Sequence, residues 1–302
     1  MNIFITGSHG FIGQNLREYL GSRYNLFAPD RKELELLDEK AVGRYIVKNN
    51  VDVIIHYANK GGIRGCMDFP NTVEYNMRIF FNIIKNCPEE TKIIYFGSGS
   101  EYAKHRNIHK IKEEDFGKCT PKDSYGFYKY LCNLFTEKSD QKIVNLRLFG
   151  VFGKYENYET RFMPNMILKN LFGLDMMVNQ NLVMDYLYIE DLLKIVDYFI
   201  ENDTKFKVYN IAPTKSIDLV SICNIINNIS GNKSKIRIVN PGLNYEYTAD
   251  NSRVRDEIGC TFTDYEAAIE KIFRYYKQNL HNFDKNKLVI DHHLSDYQIK
   301  KN

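Results

Sequence analysis

The sequence contains no apolar stretch that approaches the roughly 20 residues needed to span a bilayer. It begins MNIFITGSHGFIG, which is typical of a strand that leads into a glycine turn. That segment lacks the basic n-region and the long apolar h-region of a signal peptide. These absences predict a cytoplasmic protein without a membrane partner.

An excess of charge and paired cysteines are also missing. The formal net charge is +3 over 302 residues, and no basic run is long enough to follow a phosphate backbone, so nucleic acid is not an expected partner. The six cysteines are scattered without a CxxC pair, which is typical of reduced, mostly buried thiols. Because Cys66, His56 and the adjacent His292 and His293 have no acidic or thiol partner at ligand spacing, no metal site is predicted.

Short apolar runs alternate with amphipathic stretches through the first half of the chain. The predicted strands are 2–6, 25–28, 52–58, 92–97 and 142–149, and the predicted helices are 11–21, 39–49, 71–87 and 123–139. Strands that alternate with helices of this length predict right-handed βαβ units. We therefore expect an α/β fold with a Rossmann-type, doubly wound parallel sheet.

The alternation weakens after residue 153, although 186–200 still predicts a strand leading into a helix. We expect a dinucleotide-binding domain followed by a smaller C-terminal substrate-binding lobe. The expected ranges are 1–153 for the domain, with 182–204 returning to it, 154–181 and 205–280 for the lobe, and 281–302 for a polar, peripheral tail.

Three glycines lie between the first predicted strand and the first predicted helix, in the segment GSHGFIG. Gly7 and Gly10 permit a tight turn and a close approach to a pyrophosphate, while Gly13 lets the helix pack closely on the sheet. The free N–H groups of the helix N-terminus would face the anion. This context predicts a dinucleotide site that includes Phe11 and Ile12.

The end of the second predicted strand leaves the choice of dinucleotide open. Asp30 could accept a hydrogen bond from the adenosine ribose of NAD, whereas Arg31 could pair with the 2′-phosphate of NADP. Asp38 could reach the adenine edge, and it could equally cap the helix that follows. Both NAD and NADP therefore remain candidate cofactors.

The segment YGFYK places Tyr125 and Lys129 one turn apart on the same face of a predicted helix. A nearby ammonium and a positive nicotinamide ring would lower the pKa of the phenol from its usual value of about 10. Tyr125 could then exchange a proton with a sugar hydroxyl, and Lys129 could also bind the nicotinamide ribose. With 22 tyrosines in the chain a chance match is common, and Tyr128 is the alternative.

A third group comes from the predicted strand end FGSGSEY. Small hydroxyls at the carboxyl edge of a parallel sheet lie where α/β sites form. Ser98 is predicted to orient a substrate oxygen shared with Tyr125, and Ser100 is the next hydroxyl on that side.

In this order, GSHGFIG, FGSGSEY, YGFYK and NLRLFGVFG resemble the extended short-chain dehydrogenase/reductase family, the NAD-dependent epimerase/dehydratase group that acts on nucleotide sugars. The resemblance covers roughly residues 1–280 and is strongest to GDP-fucose synthases and related 4-keto sugar reductases. It implies a triad of Ser98, Tyr125 and Lys129 and a homodimer through helices 71–87 and 123–139. The further contacts that it implies are Tyr57, Ala58 and Asn59 for the cofactor, and Ser98, Ser100, Arg161 and Asn165 for the nucleotide sugar.

The sequence departs from the pattern of this family at several positions. GDP-fucose synthases pair a Cys with a His for epimerisation where Ser100 and Arg161 stand here. The 4,6-dehydratases place an Asp–Glu pair where this chain has Gly99 and Ser100, and strand alternation directs Glu101 elsewhere. The resemblance further implies that Met184 replaces the family's diphosphate-binding Arg and that Gly150 replaces its Asn after LRLF. Arg161 or Lys215 could supply the lost charge, and the competing interpretation is that both are surface residues.

The expected function is therefore NAD(P)-dependent reduction of a 4-keto nucleoside-diphosphate sugar, with Tyr125 as proton donor or acceptor. An NAD-dependent C4 epimerase uses the same triad and is the first alternative. A non-catalytic, dinucleotide-binding regulator is an alternative of another class. The resemblance further implies a role in the supply of sugars for bacterial surface polysaccharide.

Overall fold

The computed structural model describes residues 1–61 and 69–290. The strands are β1 Asn2–Thr6, β2 Asn25–Phe27, β3 Val53–His56, β4 Lys92–Ser98, β5 Ile108–Ile111, β6 Ile143–Leu148, β7 Gly150–Phe152, β8 Met176–Asn181, β9 Val183–Met184, β10 Tyr186–Tyr188, β11 Val208–Ile211, β12 Ile217–Asp218, β13 Ile236–Leu243 and β14 Tyr247–Ala249. The helices are α1 Phe11–Leu20, α2 Glu39–Lys48, α3 Thr72–Lys85, α4 Ser124–Lys138, α5 Phe162–Leu171, α6 Ile189–Glu201, α7 Leu219–Ser230, α8 Ser252–Ile258, α9 Tyr265–Gln278 and α10 Lys285–Val289.

A six-stranded parallel sheet forms the centre of the fold, in the order β11-β6-β4-β3-β1-β2. Strands and helices alternate along the chain from β1 to β4, and the sheet is parallel, so the predicted Rossmann-type α/β fold is confirmed. The strand order reverses between β1 and β3. Ligands of such sheets bind at the carboxyl ends of the strands that flank this reversal.

Helices cover both faces of the sheet. Phe4, Ile93 and Tyr95 pack with side chains of α2, α3 and α4, whereas Ile3 and Ile94 face the opposite core with α1 and α6. Neighbouring positions of one strand thus enter two different cores. This explains why the strands have nearly continuous apolar sequences rather than an alternating pattern.

The later part of the chain adds three small sheets, with strand orders β12-β9-β14-β5, β10-β7 and β13-β8. Helix α5 packs against α7 and α9, and their apolar side chains join the same core as α1 and α6. The expected division into domain and lobe stays a prediction.

Three strand pairings do not follow the predicted ranges of the domain and the lobe. Strand β11 lies within 205–280, yet it pairs with β6 in the main sheet. Strand β5 comes from the first 153 residues but pairs with β14. Strand β10 pairs with β7 instead of the main sheet, although α6 does pack against α1 and β4. Local periodicity identifies each element but does not determine which distant strand becomes its neighbour.

The expected peripheral tail is partly folded. Helix α10 packs against α5, and Leu288 is completely buried. Residues 291–302 lie outside the described residues. Within the described ranges, no helix combines the length and the apolarity needed to cross a bilayer.

Candidate active site

The glycine loop joins β1 to α1 at the point where the strand order reverses. Gly7 has a left-handed φ of 71°, and a Cβ there would lie 2.9 Å from the backbone nitrogen of Ala58. A Cβ on Gly13 would lie 2.2 Å from the carbonyl oxygen of Gly7. At Gly10 the nearest atom would be 3.4 Å away, so a methyl group fits. Two glycines are therefore required by backbone packing, and the third leaves space open to a ligand.

The residues of this loop fit a dinucleotide. Gly10 is the N-cap of α1 without a side-chain cap, and the first turn has no acidic residue. The positive end of the helix dipole is thus available to a pyrophosphate. Ile12 is buried in the core and Phe11 is half-buried, so Ile12 could contact a cofactor only through its backbone.

The end of β3 forms the other side of the reversal point. The backbone nitrogens of Tyr57 and Ala58 donate to the Thr6 hydroxyl, over 3.2 and 3.1 Å. The Tyr57 ring lies 3.5 Å from the position of a Cβ on Gly10. Tyr57 and Ala58 therefore lie beside the glycine loop, as the cofactor prediction requires.

Asn76 of α3 holds the segment that follows β3. Its side chain accepts from the backbone nitrogen of Lys60 over 2.8 Å and donates to the Lys60 carbonyl over 2.7 Å. The side chain of Asn59 donates to the carbonyl of Tyr57 over 3.2 Å. Asn59 is therefore adjacent to the loop, and its contact with a cofactor stays a prediction.

The residues that could distinguish NAD from NADP make contacts with their neighbours in the sequence. Asp30 accepts from two backbone amides of its own turn, and Arg31 donates to Glu35 over 2.8 Å. Asp38 caps α2 by accepting from the nitrogen of Ala41 over 2.9 Å. These contacts leave the choice between the two dinucleotides open.

The structure brings Ser98, Tyr125 and Lys129 together. Ser98 ends β4, and its hydroxyl lies within hydrogen-bonding reach of the hydroxyl of Tyr125 from α4. The Lys129 ammonium lies 5.9 Å from the centre of the Tyr125 ring and donates to the buried carbonyl of Phe96. Helix α4 is capped by Asp123, which starts the helix just before Tyr125.

Burial controls the protonation of both groups. It raises the pKa of Tyr125, although the hydrogen bond from Ser98 and the charge of Arg161 act in the opposite direction. It lowers the pKa of Lys129 to about 8. The expectation that Lys129 and a positive nicotinamide ring together lower the pKa of Tyr125 concerns the cofactor complex and stays a prediction. In the protein alone desolvation raises that pKa. A protonated phenol at neutral pH can donate a proton.

Tyr128, the alternative to Tyr125, is buried within the core. Its ring packs edge-on against Tyr125 at 5.4 Å, and its hydroxyl has no hydrogen-bond partner among the described residues. Since only Tyr125 of these two contacts Ser98, Tyr128 is a core residue.

A buried ion pair lies under Ser98. Glu101 accepts from the backbone nitrogen of Ser98 over 2.9 Å and pairs with Arg147 over 2.6 Å, and both side chains are 0% exposed. Glu101 therefore faces Arg147, although strand alternation is not the cause of this orientation. Gly99–Tyr102 form a 3-10 helix rather than a continuation of the strand.

The sequence did not single out Tyr247. This residue of β14 places its hydroxyl within hydrogen-bonding reach of Ser98 and Ser100. No local motif marks it, because it lies in the irregular second half of the chain and reaches the triad only through the pairing of β14 with β5 and β9.

Of the predicted substrate contacts, Arg161 lies near the triad and Asn165 does not face it. The charge of Arg161 lowers the pKa of both Tyr57 and Tyr125, so its guanidinium acts electrostatically on both phenols. Asn165 is 0% exposed and donates to the carbonyl of Tyr158, so none of its surface is open to a ligand. Both assignments stay predictions.

Gly150 and Met184, the two positions where this chain departs from the family's Asn and Arg, are neighbours. A Cβ on Gly150 would lie 2.8 Å from the end of the Met184 side chain, so the two substitutions remodel one place together. Lys215, the other candidate for the lost charge, pairs with Asp264 on the surface over 2.8 Å. Arg161 is therefore the better placed of the two cations.

Within the described part of the chain, no group of three His, Cys, Asp or Glu side chains could hold a metal ion. His56 is buried and bonds the Thr6 hydroxyl, and burial lowers its pKa to about 3. Cys66, His292 and His293 lie outside the described residues.

Residues 3–212 match the model of the NAD dependent epimerase/dehydratase family. The chain belongs to this family. The family consists of nicotinamide-dependent enzymes, which confirms both the resemblance and the predicted class of cofactor, and it argues against the non-catalytic regulator.

Similar proteins catalyse different reactions. The ADP-L-glycero-D-manno-heptose-6-epimerase of Brachyspira hyodysenteriae is 27% identical over 264 residues, which cover 75% of this chain and 80% of that protein. The dTDP-glucose 4,6-dehydratase of Bacillus anthracis, solved with NAD, has a TM-score of 0.79 at 17% identity and covers 95% of this chain and 99% of its own. The GDP-mannoheptose C4 reductase of Campylobacter jejuni, solved with NADP, has a TM-score of 0.78 at 18% identity, with coverages of 91% and 98%. The fold is therefore shared by three reaction types, and the reaction has to be inferred from the site.

The glycine loop generates a prediction with two readouts. Gly13→Ala forces a methyl group against the Gly7 carbonyl, so we expect the free energy of unfolding in urea to fall by about 1–3 kcal/mol. Gly10→Ala should leave that free energy nearly unchanged but weaken NADH and NADPH binding roughly tenfold, which corresponds to ~1.4 kcal/mol. Unfolding curves and fluorescence titrations measure the two effects. Equal stability losses in both variants would contradict this division of roles.

The buried ion pair generates a second prediction. Glu101→Gln leaves Arg147 as an uncompensated buried charge, so we expect a loss of about 3–5 kcal/mol in the free energy of unfolding. Glu270→Gln is the matched control, because it breaks the exposed pair with Arg274 and should cost under ~1 kcal/mol. Similar small losses in both variants would show that the buried pair does not hold this region.

Proposed function

We propose that this protein reduces a 4-keto nucleoside-diphosphate sugar with NADPH or NADH. The observation that carries the proposal is the environment of Ser98 and Tyr125. Their two hydroxyls converge on one point, and the positions that carry the acid and base for elimination in 4,6-dehydratases hold Gly99 and Ser100. Gly99 and Ser100 carry no carboxylate, and the nearby carboxylate of Glu101 is bound to Arg147. Ketone reduction needs one proton donor and one hydride donor, and it needs no further acid or base.

The two positions that carry the Cys–His pair of GDP-fucose synthases are also changed here. Epimerisation next to the ketone removes a proton from one carbon and returns a proton to it, so it needs groups that exchange protons. Those positions hold Ser100 and Arg161, and neither a serine hydroxyl nor an arginine guanidinium is suited to that exchange. Support for simple reduction therefore comes from the chemistry of the residues present.

The roles within the proposed site follow from the geometry. A bound nicotinamide supplies the hydride. Ser98 orients the ketone oxygen, and the protonated Tyr125 donates a proton to that oxygen as negative charge develops on it. Lys129 binds the nicotinamide ribose and supplies a positive charge near the oxygen. Arg161, whose charge acts on both Tyr57 and Tyr125, contacts the anionic nucleotide sugar.

The same triad would serve a C4 epimerase that keeps its NAD bound, and this is the competing function within the family.

Helices α3 and α4 pack together and include the partly exposed Leu134, as a homodimer through these helices requires. The homodimer stays a prediction.

Turnover tests the proposed function. We expect the purified protein to oxidise NADPH or NADH when a 4-keto-6-deoxy nucleotide sugar is added. Tyr125→Phe should lower kcat by about 100-fold or more while leaving dinucleotide affinity within twofold, because only the proton donor is lost. Tyr130→Phe, a tyrosine outside the triad on the same helix, is the control and should keep the wild-type rate.

Two outcomes would contradict this proposal, one for the reaction and one for the role of Tyr125. Interconversion of UDP- or GDP-hexoses without added cofactor, by protein that carries tightly bound NAD, would assign the epimerase. Equal turnover by Tyr125→Phe and wild type would remove the phenol from the mechanism.

The pKa of Lys129 generates a pH prediction. Burial lowers this pKa to about 8, so the ammonium loses its proton as pH rises through that value. A neutral amine is a weaker donor to the ribose, and we expect the Kd of NADPH to be constant below pH 8 and to rise above it. Lys129→Met should bind NADPH weakly without this pH dependence. A wild-type Kd that is flat from pH 7 to 9.5 would show that Lys129 does not bind the cofactor.

A further inference from the structure

Tyr247 is a second phenol at the reaction centre, and it comes from a part of the chain far from the triad in sequence. Its hydroxyl lies within hydrogen-bonding reach of the hydroxyls of Ser98 and Ser100. Ser98 and Ser100 also contact each other over 3.0 Å, and the Tyr125 hydroxyl lies within hydrogen-bonding reach of Ser98. Four hydroxyls therefore form one cluster at the end of β4.

The backbone that carries Tyr247 is held in place by Asp185. The backbone nitrogen of Asp185 donates to the carbonyl of Tyr247 over 3.1 Å. Its carboxylate accepts from the nitrogen of Ala249 over 2.8 Å and from the Ser216 hydroxyl over 2.6 Å. Because Asp185 is 0% exposed, water does not compete for these bonds, and the start of β14 is fixed on both sides of Thr248.

The ring of Tyr247 is held independently of its hydroxyl. It packs on Phe149 with ring centres 4.9 Å apart, and the Lys104 ammonium lies 5.4 Å from its centre. The same ammonium lies 5.8 Å from the centre of the Tyr125 ring. Lys104 follows Ala103, whose φ of 67° is in the left-handed region that non-glycine residues seldom adopt. This turn brings one cation next to both phenols.

Tyr247 also occupies the space beside Gly99. A Cβ on Gly99 would lie 2.4 Å from the Tyr247 hydroxyl and 2.8 Å from the ring of Phe149. A larger residue cannot be accommodated there unless Tyr247 moves. The glycine and the tyrosine are thus complementary, and the phenol takes the place of any side chain at position 99.

We propose that Tyr247 is a positioning residue of the reaction centre, whose hydroxyl orients the hydroxyls of Ser98 and Ser100 toward the substrate oxygen. This inference rests on the proposed reduction, in which Ser98 binds that oxygen. A serine hydroxyl has one hydrogen and two lone pairs. In the protein alone the Ser98 hydroxyl donates to that of Ser100 over 3.0 Å. When Tyr247 donates to Ser100, the Ser100 hydroxyl can turn and donate to Ser98, which frees the Ser98 hydrogen for the substrate oxygen.

Tyr247→Phe tests the role, because it removes the hydroxyl and keeps the packing on Phe149. We expect kcat to fall about tenfold, as for the loss of one hydrogen bond, with KM and the Kd of NADPH within twofold of wild type. Tyr245→Phe is the control, because that neighbouring side chain is 57% exposed, and it should keep the wild-type kcat. A kcat within twofold of wild type in Tyr247→Phe would overturn the proposal.

A second measurement separates this inference from the proposed function. Urea midpoints of Tyr247→Phe, Ser98→Ala and the double variant do not depend on turnover. We expect the shifts of Tyr247→Phe and Ser98→Ala to be non-additive in the double variant, because residues in contact are coupled. Combining Tyr247→Phe with the distant Ser230→Ala is the control and should give additive shifts. If the wild type reduces no 4-keto sugar but the shifts are non-additive, the proposed reaction is wrong, while Tyr247 still belongs to the cluster with Ser98. Additive shifts with Ser98→Ala would remove Tyr247 from it.

Discussion

The ion pair between Glu101 and Arg147 is the interaction on which the candidate centre depends. Two buried opposite charges cost desolvation energy on both sides, and further hydrogen bonds to each charge offset part of that cost. Here Glu101 also accepts from the Ser98 backbone, while Arg147 donates to the hydroxyl of Tyr102. The pair therefore joins the end of β4 to β6 and fixes the backbone that presents the Ser98 hydroxyl.

The centre is assembled from parts of the chain that are remote in sequence. The glycine loop follows β1, Tyr57 follows β3, Ser98 ends β4 and Tyr247 enters from β14. The parallel sheet places the first three at one edge because all its strands run in the same direction. Tyr247 reaches that edge through the pairing of β14 with β5 and β9, and Asp185 holds the backbone on both sides of Thr248. Burial of the assembled site then keeps Tyr125 protonated and lowers the pKa of Lys129.

Much of the first half could be predicted from local patterns, because each buried strand and amphipathic helix carries its own periodicity, and the glycine loop and the motif around Tyr125 are contiguous. The pairings of β5 with β14 and of β11 with β6 could not, since they depend on distant contacts. Tyr247 was missed for that reason. The burial that raises the pKa of Tyr125 in the protein alone could not be predicted either, because the sequence shows a neighbouring lysine but not the desolvation of the phenol.

The most direct measurement is the fate of the hydride. With NADPH deuterated at the transferable C4 position and a 4-keto-6-deoxy nucleotide sugar, one turnover should place a single deuterium on C4 of the sugar product, observed by NMR and mass spectrometry. The same experiment with Tyr125→Phe should yield little product. Product without deuterium at C4, or deuterium at another carbon, would contradict reduction of the 4-keto group at this centre.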